Sequence, residues 1–385
     1  MKRVIDIAFA MAFLLAISIP FAGTFLNDAT VSENEKRDLA PLPDIDFRYL
    51  DKVPPQFNKY WADHFGWREQ FISASHKIKR EYLGVSPIPD KVIFGEDDWY
   101  FMKGKPYQCY SGLNKFTPQD LAEGRKELSK RAAFAKEKGI PYIIFIAPNK
   151  HRIYEEKLPY HIKRLTDSIQ VEQLITLAKT INGIEVVDLA PELIKAKTDF
   201  EIPIYQKTDN HWNAVGGFLA YQQMVGKLQE YFTQIPNAYN YDDYAVKKKV
   251  DKGGALARYL KGEEEITEIQ YPMSIWTDYY KLKTDTNEKY EPLKGFWYPE
   301  EYEQRTMNTR DSTLPKLLWF RDSFGRLVRP HLRHNVGYLV EIFDSWLYRL
   351  NPEIIENEKP DAVILLVLER NIACLMTGGD CAGNF

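Results

Sequence analysis

Residues 317 to 332 read LLWFRDSFGRLVRPHL. Four apolar residues, Leu317 to Phe320, have the composition of a buried strand. Arg321-Asp322-Ser323-Phe324-Gly325 then makes a turn, and a helical stretch follows. A serine at such a strand-to-helix turn is lifted out of the sheet, with its hydroxyl at the carboxyl edge beside the backbone N–H groups of the helix start. That is a place for a nucleophile. Asp and Ser are also what any helix start prefers, so Ser323 read alone is first of all a helix cap. The rest of the chain has to decide between the two.

The flanking sequence alternates helix and strand. Thr117-Pro118 opens a helix with an N-cap and a first-turn proline, and Gly139 closes it. PYIIFIAP (141 to 148) is a continuous apolar run of the kind buried on both faces of a parallel sheet. A helix over about 168 to 181 leads to the strand IEVVDL (184 to 189). Asn213 opens a further helix with Phe218, Tyr221, Val225, Leu228 and Phe232 on one face. With the strand before Ser323, GYLVEIF (337 to 343) and AVILLVL (362 to 368), these elements predict an α/β domain, a central, mostly parallel sheet with helices on both faces. VIFGEDDWYFM (92 to 102) reads as a hairpin. Residues 233 to 315 show no clear period and are too long for a bare loop, so they read as a structured insertion. Their aromatics, Tyr271, Trp276, Tyr279, Tyr280, Trp297 and Tyr298, form either a sugar-stacking wall or a small hydrophobic subcore.

Met1-Lys2-Arg3 precedes VIDIAFAMAFLLAISIPFAGTFL, residues 4 to 26, in which Asp6 is the one charge. As a helix this stretch spans about 34 Å, enough for a bilayer, and no good cleavage site stands near Ala22 and Gly23. It is expected to be an uncleaved anchor over residues 1–28, with Lys2 and Arg3 inside and the remainder outside. A cleaved signal peptide is the alternative. Residues 27 to 55 read as an extended linker. Phe57, Trp61, Phe65, Ile72 and Ile78 recur at roughly helical spacing and predict one or two amphipathic helices. Residues 29–90 are thus linker and helical extension, ahead of a domain at 91–385.

The 385 residues carry 51 basic and 54 acidic side chains, a net charge of -3 with no basic stripe, so nucleic acid is not an expected partner. Cys109, Cys374 and Cys381 are too few for a disulfide-built fold and too scattered for a zinc site. In an oxidising compartment Cys374 and Cys381 can close a short loop, leaving Cys109 free.

Upstream of the serine stands QKTDNHWNAVGG, residues 206 to 217. A serine nucleophile needs an imidazole to take its proton and a carboxylate to hold the other ring nitrogen. His211 and Asp209 offer both from one loop. That loop and the Ser323 turn both precede helices, which puts both at the carboxyl edge of an α/β sheet. Asp209 and His211 could instead join His331 and His334, one helical turn apart, as zinc ligands. The helix after Ser323 more naturally points those histidines to solvent or a polyanion, so neither a metal nor a cofactor is expected.

TDNHW with a downstream RDSF resembles the T-D-T-H-W and G-D-S-F motifs of the alginate O-acetyltransferase family, the AlgJ and AlgX type of SGNH-hydrolase-like protein. The likeness continues in order through SENEKRDLAPLPD after the anchor, DHFGWRE (63 to 69), VIFGEDDWYF (92 to 101), APNKHRIYEEKLP (147 to 159) and GGALARYL (253 to 260). The anchor and short tail make it more similar to the AlgJ type. The resemblance implies a flavodoxin-like three-layer sandwich with permuted motif order, Ser323 as nucleophile, His211 as general base and Asp209 as its orienting carboxylate. It implies periplasmic transfer of acetyl groups to an exopolysaccharide, with the inner membrane holding the anchor and a membrane-bound O-acyltransferase as partner. An acetylesterase with the same triad and a non-catalytic polysaccharide-binding or assembly protein are the alternatives.

Arg321 stands where the family usually has Gly. The N–H of Ser323 is an expected oxyanion donor, with Arg370 or Asn371 assisting from LERNI after the last strand. Arg321 and Asp322, flanking the serine, are candidates for contact with the oxyanion or the substrate. Lys150, Arg152, Tyr154 and Trp212 are further candidates for substrate contact.

Overall fold

The structure is a computed structural model that describes residues 2–24, 30–32, 37–260, 266–276, 282–292, 294, 296, 298–311, 313–344 and 347–378. It divides into two compact units, Met1–Pro87 and Ile88–Phe385. The first holds α1 (Lys2–Thr24), α2 (Val53–His64) and α3 (Arg68–Glu81). Among the described residues α1 is the one helix long and apolar enough to cross a membrane, and it fits an anchor or a signal. The stretch expected as bare linker contains a 3-10 turn at Phe47–Lys52, started by the Asp46 carboxylate on the Arg48 N–H.

The second unit opens with an antiparallel hairpin, β1 (Val92–Phe94) and β2 (Tyr100–Met102). Then follow α4 (Pro118–Lys138), β3 (Tyr142–Ala147), α5 (Gln170–Ala178), β4 (Glu185–Asp188) and α6 (Ala214–Gln229). A second hairpin, β5 (Lys249–Lys252) and β6 (Thr267–Gln270), precedes β7 (Leu282–Asp285), β8 (Glu303–Asn308), β9 (Lys316–Arg321), β10 (Tyr338–Phe343) and β11 (Ala362–Leu368). α4 starts at the expected cap: Thr117 Oγ1 accepts the Asp120 N–H, the Asp120 carboxylate accepts the Thr117 N–H, and Gly139 ends the helix at φ 70°.

Seven strands form one sheet in the order β7-β8-β10-β9-β11-β3-β4. The five from β10 to β4 run parallel, and β8 and β7 are antiparallel at one edge. Alternation along the strands splits the core in two. Ile143, Phe145, Trp319, Leu339, Ile364 and Leu366 face α6 with Val215, Phe218 and Leu228. Ile144, Ile146, Leu318, Phe320, Val340 and Leu365 face α4 and α5 through Leu128, Ala135 and Leu174. The result is the expected three-layer α/β sandwich, with β9 near its middle and the Ser323 turn at the carboxyl edge.

The insertion at 233–315 supplies both antiparallel edge strands. β8 escaped a reading based on apolar periodicity because its buried residues include Glu303, Arg305, Thr306 and Asn308. Glu303 and Arg305 belong to a buried ion network. Arg305 makes two bonds to Glu358, of 3.0 and 2.7 Å, and pairs with Glu303, while Lys316 Nζ lies 2.9 Å from Glu358 Oε2. Of the insertion's aromatics, Tyr271 packs on the core and Tyr298 stacks on Phe343, whereas Trp276 is exposed. Tyr279, Tyr280 and Trp297 lie outside the described residues, as does Cys381 of the expected Cys374 pair. Cys109 is a free, buried thiol.

Replacing Arg305 by Met would leave two carboxylates buried without their main cation. The expected cost is about 3–5 kcal/mol, read as a lowered midpoint in chemical denaturation.

Candidate active site

β9 ends at Arg321, and the turn that follows is fixed by Asp322. Its Oδ1 accepts the Phe324 N–H at 2.9 Å, which makes Asp322 the cap of the 3-10 turn Ser323–Leu327. Its Oδ2 accepts the Leu368 N–H at 2.8 Å from the end of β11, and the Tyr348 hydroxyl at 3.0 Å. The reading of Ser323 as the helix cap is corrected here: Asp322 does the capping, so the serine hydroxyl is released from it. Burial pushes the Asp322 carboxyl up against the pull of those three donors.

Ser323 Oγ lies 2.8 Å from His211 Nε2, and His211 Nδ1 lies 2.6 Å from Asp209 Oδ1. With the Nδ1 proton on the Asp209 side, Nε2 is the acceptor for the serine hydroxyl. Ser323 thus joins the Asp209–His211 pair, more than a hundred positions upstream, in one hydrogen-bonded line at the carboxyl edge, with the His211 side chain 29% exposed. The Asp209–His211 loop is a tight reversal in which Tyr205 and Trp212 face each other in a β-bridge, and Asn213 caps α6 by accepting the Val215 and Gly216 N–H groups. Asp209 also accepts the His211 N–H at 3.0 Å and the Ala255 N–H at 2.7 Å. Burial works against its charge, yet the bond and charge of His211 with those N–H groups hold the carboxyl well below its usual range.

The insertion therefore takes part in the site, a role that sequence reasoning missed. Thr208 Oγ1 accepts the Gly254 N–H at 2.7 Å, and Glu268 of β6 accepts the Thr208 N–H at 3.1 Å. The GG pair of GGALARYL was the available signal. A Cβ at Gly254 would stand 2.5 Å from Asp209 Cβ and 2.8 Å from Oδ2, so only glycine lets this backbone approach the carboxylate.

The substrate-contact expectations fare differently. Lys150 is buried and donates to the carbonyls of Gln206, Lys207 and Asp209 at 3.0, 3.0 and 2.6 Å. Burial pushes its ammonium down to about 7, against the pull of Asp209 and Glu268. It holds the Asp209–His211 loop from below instead of facing a polymer. Tyr154 is buried with its hydroxyl accepting the Ile204 N–H, Trp212 is buried with its indole N–H on the Phe324 carbonyl, and Arg152 pairs with Asp188 and Glu369. Arg321 is buried too, its Nε 3.1 Å from Glu341 Oε2 and its guanidinium over the Phe343 ring. None of these four lines an open surface.

Asn371 donates to the Tyr348 hydroxyl at 3.2 Å, a layer beneath the serine. Arg370 is half-buried and, among the described residues, makes no hydrogen bond or ion pair; burial draws its pKa down against the charges of Tyr348, Asp322, Cys109 and Asp209. His331 and His334 do not point to solvent. His331 is buried between Phe218, Tyr221 and Tyr244, with Nδ1 2.8 Å from the Tyr244 hydroxyl, and burial takes it down to about 3. Among the described residues no group of three or more His, Cys, Asp or Glu is arranged to hold a metal.

A profile described as the SGNH hydrolase-like domain of acetyltransferase AlgX matches residues 92–293. The match includes Asp209, His211 and Gly254 and stops short of Ser323. Bacillus cereus PatB1 is similar in structure at a TM-score of 0.51 and 16% identity, over 74% of this chain and 97% of that one. The O-acetyltransferase domain of Pseudomonas putida AlgJ aligns at 0.49 and 15% identity, over 77% and 95%. Pseudomonas aeruginosa AlgX aligns at 0.47 and 18% identity, over 82% and 72%. No curated protein matches the chain.

Two substitutions away from the three aligned side chains test their support, with an activated acyl ester as substrate. Lys150→Met should lower kcat about 10- to 100-fold with KM little changed, because the loop moves while the open face stays intact. Gly254→Ala should lower kcat at least about tenfold by displacing Asp209, with the folded state retained by circular dichroism.

Proposed function

The chain belongs to the AlgX family of SGNH-hydrolase-like acetyltransferases, and on that premise we propose that Ser323, His211 and Asp209 are its catalytic triad and that a polysaccharide hydroxyl is its acceptor. What supports the assignment is the continuous line of two short hydrogen bonds, Asp209 Oδ1 to His211 Nδ1 and His211 Nε2 to Ser323 Oγ. In the first half-reaction Ser323 Oγ attacks the acetyl carbonyl while His211 Nε2 takes the hydroxyl proton. The tetrahedral intermediate collapses, and His211 returns that proton to the leaving oxygen. In the second, His211 takes a proton from the sugar hydroxyl, the sugar oxygen attacks the acetyl-serine, and Ser323 recovers its proton. Asp209, held ionised, fixes the tautomer and stabilises the imidazolium.

The Ser323 N–H is a first-turn donor with no helical acceptor, which suits it to the developing oxyanion. Arg370, with its guanidinium uncommitted, is the further charged group assigned to the transferring acetyl or the acceptor. α1 is read as an uncleaved anchor that sets the catalytic unit on the periplasmic side of the inner membrane. There a membrane-bound O-acyltransferase supplies the acetyl group.

Incubation of the protein with an acetyl ester and acidic or neutral glycan acceptors should yield acetylated glycan. Ser323→Ala should abolish transfer, and Asp209→Asn should reduce kcat about 10⁴-fold. Equal transfer by wild type and Ser323→Ala would refute the triad. Release of acetate with no acetylated glycan would point to an esterase.

A further inference from the structure

The site leaves the helices of the first unit without a role. α3 has no buried residue, and α2 buries only Asp63 and His64. Helices this short are marginal alone and gain their stability by covering an apolar face. α3 has such a face: Trp67, Phe71, Ile78 and Tyr82 recur at four- and seven-residue spacing on one side, between 47% and 79% exposed. Arg68 and Lys79 flank it on one edge and Lys77 on the other, and the helix carries Arg80 besides, against Glu69 and Glu81.

α1 sets what this face meets. The Gly66 N–H, at the corner between α2 and α3, donates to Thr24 Oγ1 at 3.2 Å, and the rings of Phe21 and Trp61 lie 5.4 Å apart. A Cβ at Gly66 would come within 2.4 Å of the Pro20 carbonyl oxygen, so glycine is what permits the approach. Trp67 then takes the left-handed conformation at φ 56° to start α3. The first turn of α3 is thereby tied to the end of a helix that is apolar and exposed along its length. A membrane-crossing helix ends at headgroup level. A helix starting there, with aromatic residues on one face and basic residues beside them, has the composition of an interfacial helix.

We propose that α3 lies in the bilayer interface, with its Trp67, Phe71, Ile78 and Tyr82 face inserted between lipid headgroups and upper acyl chains where α1 emerges. The occupant of the face is lipid. The proposal rests on reading α1 as a retained anchor. The chain then leaves the membrane surface after Leu83 rather than after Thr24.

The test uses the full chain reconstituted in phosphatidylcholine–phosphatidylglycerol vesicles, with nitroxides at Ile78→Cys, at Ser73→Cys on the opposite face of α3, and at Leu14→Cys within α1. Phe71→Cys is a second reporter for the apolar face. Ile78, Phe71 and Leu14 should collide preferentially with oxygen and Ser73 with a water-soluble nickel chelate, with ratios differing several-fold. The two α3 labels should sit about 5–10 Å below the headgroups. If Leu14 favours oxygen while Ile78 and Phe71 match Ser73, or are shielded from both reagents, the interfacial placement is overturned and the anchor stands. If Leu14 favours the nickel chelate as well, the anchor reading falls with it.

Discussion

The carboxylate of Asp322 is the constraint on which the site depends. From one buried position it joins the end of β9, the turn after it, the end of β11 and Tyr348. A turn of this kind needs an acceptor for its first N–H groups, and the nearest side chains are Asp322 and Ser323. Because Asp322 takes the capping bond, Ser323 keeps its hydroxyl for His211. Cap and proposed nucleophile are neighbours with divided duties. The buried Arg321 beside them pairs with Glu341 and also donates to the Asp322 carbonyl at 3.2 Å, so its guanidinium is bound into the base of the turn.

The second half of the site is a loop held from two sides. Below, the Lys150 ammonium donates to the carbonyls of Gln206, Lys207 and Asp209. Above, the insertion contributes the N–H groups of Gly254 and Ala255 and the carboxylate of Glu268. Such a loop has few ways to move, which is what a hydrogen-bonded relay needs, because a misplacement of about 1 Å can cost on the order of a hundredfold in rate. The insertion thus supports the Asp209–His211 loop as well as the sheet, where it provides β7 and β8.

The parallel strands, the helices and their caps were legible because apolar periodicity and Thr-Pro or Gly punctuation report directly on burial and backbone geometry. That Asp209, His211 and Ser323 belong side by side was legible from residue types, and they do stand in one hydrogen-bonded line. Side-chain direction was not. Lys150, Tyr154, Trp212 and Arg321 looked like surface groups because polar and aromatic types usually reach solvent; here each finds buried partners that lie far away in sequence. β8 was hidden for a related reason, since a strand whose buried positions include Glu303, Arg305 and Asn308 carries no apolar alternation. His331 was misread because the helix after Ser323 is only a 3-10 turn and the four residues Arg329–Leu332, which turns its ring into an aromatic cluster.

The most direct test of the account is the chemical identity of the intermediate. After brief exposure to an acetyl ester without acceptor, followed by acid quenching, peptide mass spectrometry should find one acetyl group, on Ser323, and its amount should fall when a glycan acceptor is added. An unmodified Ser323 under conditions where acetyl transfer proceeds, or an acetyl group on another residue that passes to the glycan, would contradict it.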